Sequence, residues 1–132
     1  MKLENKKDTL TVSCSYLPNS TFQRCDLTGM KMNDVNLKGM EIKDANLSEL
    51  VIDGAQIGGA YIKNIGLPPE GHPLYDPNNI VQSPLKFENC DLNNSKITNC
   101  NLSNMEIDGC NITGMKINGI SIEDLLKEYN SK

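Results

Sequence analysis

The sequence has no tryptophan, few other aromatic residues and only three alanines. Because aromatic residues make up only 5% of the 132 residues, aliphatic side chains must supply any hydrophobic core. Asparagine occurs 17 times, and a composition rich in asparagine and poor in alanine disfavours long helices. A chain of this length can bury a core of its own, so we expect a single domain.

Long apolar segments and a basic surface are also missing. No apolar run approaches the roughly 18 residues that span a bilayer, and the N-terminal segment MKLENKKDTL lacks a signal-peptide core. Lys and Arg number 13 against 17 Asp and Glu, which gives a net charge of -4. A non-specific nucleic-acid binder needs a basic surface. We therefore expect a cytoplasmic protein that contacts neither membranes nor nucleic acid directly.

A large apolar residue recurs at every fifth position through two stretches of the chain. These central positions are Phe22, Leu27, Met32, Leu37, Ile42, Leu47, Ile52, Ile57, Ile62, Phe87, Leu92, Ile97, Leu102, Ile107, Ile112, Ile117 and Ile122. Two residues before each centre the side chain is mostly small or flexible, and only Ser20 and Ser95 are polar there. Because residues two apart point to the same side of an extended chain, both positions are expected to face the interior.

The residue two places after each centre, from Arg24 to Gly119, indicates a corner. It is Gly, Asn or Asp in every unit except those of Arg24 and Glu49, and these residue types tolerate the positive φ that a type II turn requires. A five-residue period fits neither a helix nor a simple strand. It predicts a chain that turns one corner per unit, so that four units close one coil and successive coils stack as in a solenoid.

Several units resemble a known family. The segments CDLTG, VNLKG, ANLSE, CDLNN and CNLSN resemble the Ala-(Asp/Asn)-Leu-x-x unit of pentapeptide-repeat proteins, over residues 20–66 and 85–122. The resemblance implies an all-β fold, a right-handed four-sided β-helix (a pentapeptide-repeat solenoid) of about four coils. One departure is that the residue before the centre is often neither Asp nor Asn, as at Lys31, Glu41, Val51, Tyr61, Lys86, Lys96 and Lys116.

The single domain, residues 1–132, is expected to have five segments. Residues 8–21 form an N-terminal strand or cap, because apolar and polar residues alternate at 8–17, although the five-residue phase also extends back through Leu17 and Val12. The repeat blocks are 22–66 and 85–122, separated by a proline-rich loop at 67–84. A short C-terminal α-helix follows at 123–132. Ser121 and Asp124 resemble a capping box, and the helix either covers the open end of the solenoid or forms a homodimer contact there.

The 67–84 loop contains five of the six prolines, which excludes ladder strands and helix. Loops of this length without regular structure are often functional. Either it lies along a face of the β-helix and buries Leu74, Tyr75 and Ile80, or it binds a partner. The candidate partner-binding residues are Glu70, His72, Leu74, Tyr75 and Asp76.

Groups with recognisable chemistry are few. Cys25, Cys90, Cys100 and Cys110 occupy the small interior position, and no pair matches a Cys-x-x-Cys metal motif. Cys90 and Cys110 are four units apart and hence on the same wall, yet reduced thiols packed in the core are favoured over a redox or metal role. His72 is the only histidine, and nucleotide-binding and nucleophile motifs are absent. We therefore expect no catalytic, cofactor or metal site.

These features favour a non-enzymatic structural or protein-interaction module. It would present a rigid β-helix surface and the proline-rich loop to an unidentified protein partner. The alternative is a DNA-mimicking modulator of gyrase or topoisomerase, an activity known in the family, although each repeat block carries a net charge of only about -1. An enzyme with a site between the loop and a wall, using His72 and Tyr75, is the least favoured hypothesis.

Overall fold

The computed structural model describes residues 1–132. Its regular elements are strand β1 (Lys116–Ile117), strand β2 (Ile120–Ser121) and helix α1 (Ile122–Asn130). The chain forms two compact units, Met1–Ala60 and Tyr61–Lys132. Outside the regular elements, turns and bends recur through both units with the five-residue period of the sequence.

The predicted corners are confirmed at every position. Each corner residue from Arg24 to Gly119, two places after its centre, has a positive φ. Arg24, with a φ of 53°, and Glu49, with a φ of 66°, are among them, although neither residue type favours this conformation. The five-residue phase therefore sets the backbone at each corner even where the side chain is unfavourable.

Two kinds of corner alternate, so the structural repeat is a pair of units. At one kind of corner, the backbone carbonyl of the central residue accepts a hydrogen bond from the N–H three residues later. For example, the Met30 N–H donates to the Leu27 carbonyl at 3.0 Å. The same bond closes the turns that begin at Leu37, Leu47, Ile57, Leu92, Leu102 and Ile112. The corners between them, such as the one at Arg24, are open bends without this bond.

A side chain explains which corners close. Asp26 Oδ1 accepts from the Thr28 N–H at 3.0 Å, which fixes the chain in an Asx turn directly before the corner. Equivalent bonds join Asn36 to Lys38, Asn46 to Ser48, Asp91 to Asn93, Asn101 to Ser103 and Asn111 to Thr113. We call these units Asx pentads and the units between them open pentads. Most residues that depart from the family unit directly before a centre belong to open pentads: Lys31, Glu41, Val51, Tyr61, Lys86 and Lys96. The exception is Lys116, which lies in β1.

The turn at 57–60 closes without such a side chain, because Gln56 stands where the other closed turns have Asp or Asn. Gly58 and Gly59 follow its centre, and Gly59 has a φ of 80°. Glycine reaches this conformation without steric cost, so the turn needs no Asx bond.

The predicted N-terminal strand at 8–17 is wrong. Cys14 lies at a bend with a φ of 51°, and a turn follows at Asn19 with a φ of 59°. Both residues are two places after an apolar residue in phase with the repeats, Val12 and Leu17. The pentad geometry therefore extends back to Val12, as the phase indicated, and the alternation of apolar residues over 10–16 does not produce a strand.

The last unit of the second repeat block folds as a hairpin. β1 and β2 pair antiparallel, with Lys116 opposite Ser121 and Ile117 opposite Ile120. Asn118 and Gly119 connect them with φ values of 50° and 78°, the geometry of a type I′ turn. This hairpin replaces the last expected pentad because Asn-Gly strongly favours a two-residue hairpin turn.

The predicted C-terminal helix is confirmed as α1. Ser121 is its N-cap, and the Ser121 hydroxyl accepts from the Asp124 N–H at 3.3 Å. Two bonds join the helix start to the preceding Asx pentad, from the Ile122 N–H to the Met115 carbonyl and from the Gly114 N–H to Glu123 Oε2, both at 3.1 Å. Met115, Ile122 and Glu123 are half-buried, so this junction is better covered than most of the chain.

The expected buried interior is not present, since no residue is fully buried. Most centres are about half exposed, for example Ile107 at 49%. Paired strands occur only in β1 and β2, so no ladder holds a neighbouring coil over each centre. In Tyr61–Lys132, interior-position side chains nevertheless line one cavity of about 320 Å³. The cavity lies between pentad residues such as Ile97 and Leu102 and the hairpin residues Lys116, Ile117 and Asn118.

Candidate functional site: the proline-rich loop

The loop is built from three successive turns. The His72 N–H donates to the Pro69 carbonyl at 3.0 Å, and Gly71, with a φ of 91°, provides the left-handed residue of that turn. The Tyr75 N–H then donates to the His72 carbonyl at 2.9 Å, and the Ile80 N–H donates to the Asp76 carbonyl at 3.1 Å. The loop contains neither strand nor helix, which confirms what its prolines predicted.

His72 has a structural role in the second turn. Its Nδ1 atom accepts from the Leu74 N–H at 3.0 Å. No hydrogen bond or ion pair joins His72 to Glu70 or Asp76. The arrangement fixes the backbone beside Leu74 and places no orienting carboxylate on the imidazole.

Asp76 fixes the third turn. One carboxylate oxygen accepts from the Asn79 N–H at 3.3 Å, and both oxygens accept from the Asn79 side-chain amide at 3.1 and 3.0 Å. Asp76 is half-buried, as is Pro68. Its acceptors are therefore used within the loop, and Glu70 is the candidate residue that carries a free acidic side chain.

The apolar side chains of the loop differ in exposure. A depression of about 170 Å³ is lined by Leu67, Pro68, Tyr75, Asp76, Pro77 and Ile80. Leu74 is not part of this lining and is 65% exposed, whereas Tyr75 and Ile80 are 43% and 38% exposed. The alternative in which the loop buries Leu74, Tyr75 and Ile80 is wrong in this structure, because all three side chains are exposed.

Outside the loop, charged side chains flank the centres of open pentads. Lys43 Nζ lies 2.8 Å from Glu41 Oε2, and Lys86 pairs with Glu88 in the same way at 2.6 Å. The hydrogen bond from Lys43 and its positive charge lower the pKa of Glu41, and the same contact raises the pKa of Lys43. These pairs are well exposed, so each contributes little to stability.

The cysteines are exposed, and the prediction that they pack in a core is wrong in this structure. Cys25 Sγ donates to the Gln23 carbonyl at 3.1 Å, across the open bend at Arg24. Cys90, Cys100 and Cys110 make the equivalent contact across the open bends at Asn89, Asn99 and Gly109, at 3.3 to 3.4 Å. The thiol thus satisfies a carbonyl that the open bend leaves without a backbone partner. No cluster of His, Cys, Asp and Glu has the geometry of a metal site.

Comparison with known proteins identifies the family. The pentapeptide-repeat family matches residues 20–55 and 86–124 in eight copies, which together cover more than half of the chain. The chain therefore belongs to the pentapeptide-repeat family, and the resemblance seen in its sequence is confirmed. No curated protein and no solved structure shows significant similarity to it.

The matched residues leave out the proline-rich loop. Family membership implies a β-helix in general terms and supports a structural or protein-interaction module. The helix α1, with nine residues, is too short and too polar to cross a membrane.

Proposed function

We propose that this chain is a non-enzymatic interaction module in which pentapeptide coils carry the 67–84 loop and present it to a protein partner. The observation that carries the proposal is the conformation of the loop. Three turns hold its backbone, and the His72 and Asp76 side chains fix two of them from within. A loop ordered before binding loses less conformational entropy when its partner binds.

The scaffold in this proposal is the right-handed four-sided β-helix that the family implies. Two features support it: the left-handed residue at every corner and the alternation of corner types. Stacking of successive coils would bury the centres, whose half-exposed side chains otherwise cost free energy in water.

The contact in this proposal is an apolar anchor with an acidic neighbour. Leu74 and Tyr75 are adjacent and exposed, and Glu70 is free of ion pairs. Aromatic side chains supply much of the binding free energy where they fill a pocket of the partner. A partner surface with an apolar pocket beside a basic residue would fit both features.

The test is affinity capture from a bacterial lysate with three forms of the full chain. The wild type is compared with the double variant Leu74→Ala, Tyr75→Ala and with the matched control Val51→Ala, since Val51 is 85% exposed but lies outside the loop. A protein retained by the wild type and the control, and lost by the double variant at unchanged circular dichroism, supports the proposal.

Two outcomes of this capture contradict the assignment of the loop. Equal retention of the same protein by all three forms would place the contact outside the loop. Gyrase or topoisomerase subunits retained equally by all three forms would instead favour the DNA-mimic alternative.

A further inference from the structure

Asn118 differs from the other asparagines of the chain in the residue that follows it. Of the 17 asparagines, it is the one that precedes a glycine. It lies in the exposed turn between β1 and β2 with a φ of 50°, and Gly119 follows with a φ of 78°. A Cβ added to Gly119 would meet nothing within 4 Å, so the space beside this backbone is open.

The polar groups of this dipeptide have no competing partners. No hydrogen bond holds the Asn118 side-chain amide, whereas the Oδ1 atoms of Asn36 and Asn101 accept backbone N–H groups in their Asx turns. The Gly119 N–H donates to no carbonyl in the turn. Glycine also lacks a Cβ that would obstruct a group approaching its nitrogen. The side-chain amide and the next backbone nitrogen are therefore both free to react.

The closed turn keeps these two groups apart. In a type I′ turn, the standard ψ of the first central residue places the next backbone nitrogen on the far side of the Cα–C bond from Cβ. The Gly119 nitrogen therefore reaches the Asn118 side chain only when the hairpin opens. The pairing covers only two residues in each strand, and two further bonds tie the start of α1 to the preceding pentad. Short two-stranded hairpins are marginally stable in water, so the open form is accessible.

We propose that Asn118 is a site of spontaneous deamidation whose rate is controlled by the opening of the β1–β2 hairpin, with water as the co-reactant. When the turn opens, the deprotonated Gly119 nitrogen attacks Cγ of Asn118 and closes a succinimide ring. The bond from Cγ to the side-chain nitrogen breaks, and ammonia leaves with the proton that the backbone nitrogen gave up. This chemistry involves neither the 67–84 loop nor the stacking of coils, so it does not depend on the proposed function.

Water then opens the ring in one of two ways. If it breaks the new bond between Cγ and the Gly119 nitrogen, the product is aspartate. If it breaks the original peptide bond, the product is isoaspartate, in which the main chain runs through the side chain of residue 118. In both cases a proton from water returns to the Gly119 nitrogen, and the new carboxyl group adds a negative charge to a chain of net charge -4.

The two products have different effects on the hairpin. Aspartate still suits the first central position of a type I′ turn, so we expect the hairpin to persist. Isoaspartate adds one methylene to the main chain, so the pairing of Ile117 with Ile120 loses its register. The N-cap of α1, Ser121, is the next residue of β2 and loses its paired position as well. We expect the isoaspartate form to have a Tm several degrees below that of the aspartate form.

The experiment follows the full chain over time in mildly alkaline buffer, with and without urea. Samples are cleaved after Lys and Glu, and mass spectrometry measures the fraction of each peptide in which a hydroxyl has replaced an amino group. Asn118 falls on the peptide 117–123, and Asn99 and Asn104 fall on the peptide 97–106. These two asparagines are internal controls, since they are exposed, with φ values of 56° and 61°, but precede Cys and Met.

We expect the amide of Asn118 to be lost while Asn99 and Asn104 keep theirs, and the loss to be faster in urea, where the hairpin is absent. Glu123→Ala and Glu123→Gln are a matched pair, because only the first removes the acceptor of the bond from the Gly114 N–H, which flanks the hairpin. Glu123→Ala should deamidate about fivefold faster than Glu123→Gln, the factor that corresponds to about 1 kcal/mol. In both variants the peptide runs from 117 to 127.

Three results would contradict the proposal, each in a different part. If Asn118 in the folded protein keeps its amide as long as Asn99 and Asn104 do, it is not a modification site. If Glu123→Ala deamidates no faster than Glu123→Gln, the opening of the hairpin does not control the rate. The variant Asn118→Asp carries the new charge without the extra main-chain methylene. An isoaspartate form as stable as Asn118→Asp would therefore refute the loss of register.

Discussion

Asp26 accepts two hydrogen bonds from Thr28, one from its hydroxyl and one from its backbone N–H at 3.0 Å. Both bonds favour the ionised carboxyl, and they lower the pKa of Asp26 below its ordinary value, the hydroxyl contributing most. Asp26 and Asp91 are the two charged members of this set, since Asn36, Asn46, Asn101 and Asn111 hold the equivalent turns with neutral side chains.

The stability of the folded protein should therefore depend on pH through the Asp26 carboxyl. A carboxyl whose pKa is lower in the folded than in the unfolded state stabilises fully above the unfolded value, and the stabilisation is lost as the pH falls through the folded value. Asp26→Asn keeps the acceptor and should remove this part of the acid sensitivity, whereas Asp26→Ala should lower the Tm at neutral pH. Thermal unfolding from pH 7 to pH 2 compares the three. An acid-induced fall in Tm that is identical in the wild type and Asp26→Asn would contradict the role of this carboxyl.

The hairpin turn gives a prediction with a control inside the chain. Gly119 has a φ of 78°, and a Cβ added there would meet nothing within 4 Å, so only the backbone conformation opposes substitution. Gly119→Ala should cost about 1 kcal/mol of unfolding free energy. Gly58 also has open space around it but no positive φ, so Gly58→Ala should be neutral or stabilise by about 0.5 kcal/mol. Urea denaturation measures both, and an equal effect of the two substitutions would refute the explanation.

The corners of this fold could be predicted from sequence because they are local. A left-handed residue is needed once per unit, and Gly, Asn or Asp marks it, with Arg24 and Glu49 placed by phase alone. The alternation between two kinds of unit was missed, although its signal was present as an Asp or Asn before every second centre, with Gln56 as the exception. The five-residue period of apolar residues is the same in both kinds of unit, so it does not distinguish them.

Competing local signals explain the errors at the two ends. Ile117 and Ile122 match the apolar phase, but the Asn118–Gly119 hairpin signal between them is stronger and determines the structure there. At residues 10–16, apolar alternation favoured a strand, but the bend at Cys14 follows the five-residue phase. The turns of the loop depend on His72 and Asp76 side chains that accept backbone N–H groups, and no periodic pattern marks such bonds.

The junction between α1 and the last Asx pentad should depend on Glu123. Its Oε2 atom accepts from the Gly114 N–H nine residues earlier, which ties the helix start to the preceding turn. Glu123→Gln retains an acceptor oxygen and should change stability little, whereas Glu123→Ala should cost about 1 kcal/mol. Chemical denaturation, with helix content followed by circular dichroism, measures both variants. Equal stability of Glu123→Ala and the wild type would show that the bond contributes nothing.

Ile107→Asp separates a stacked coil from isolated turns. In the stacked β-helix that we propose, Ile107 faces the interior, and a carboxylate there has no partner, which should cost more than about 3 kcal/mol. In isolated turns, where Ile107 is 49% exposed, the same change would cost much less. Lys96→Glu is the matched control, because Lys96 lies beside a centre and forms no ion pair, and it should alter the unfolding free energy by less than about 0.5 kcal/mol. Urea unfolding followed by circular dichroism compares the two variants, and an Ile107→Asp protein as stable as Lys96→Glu would refute the stacked coil.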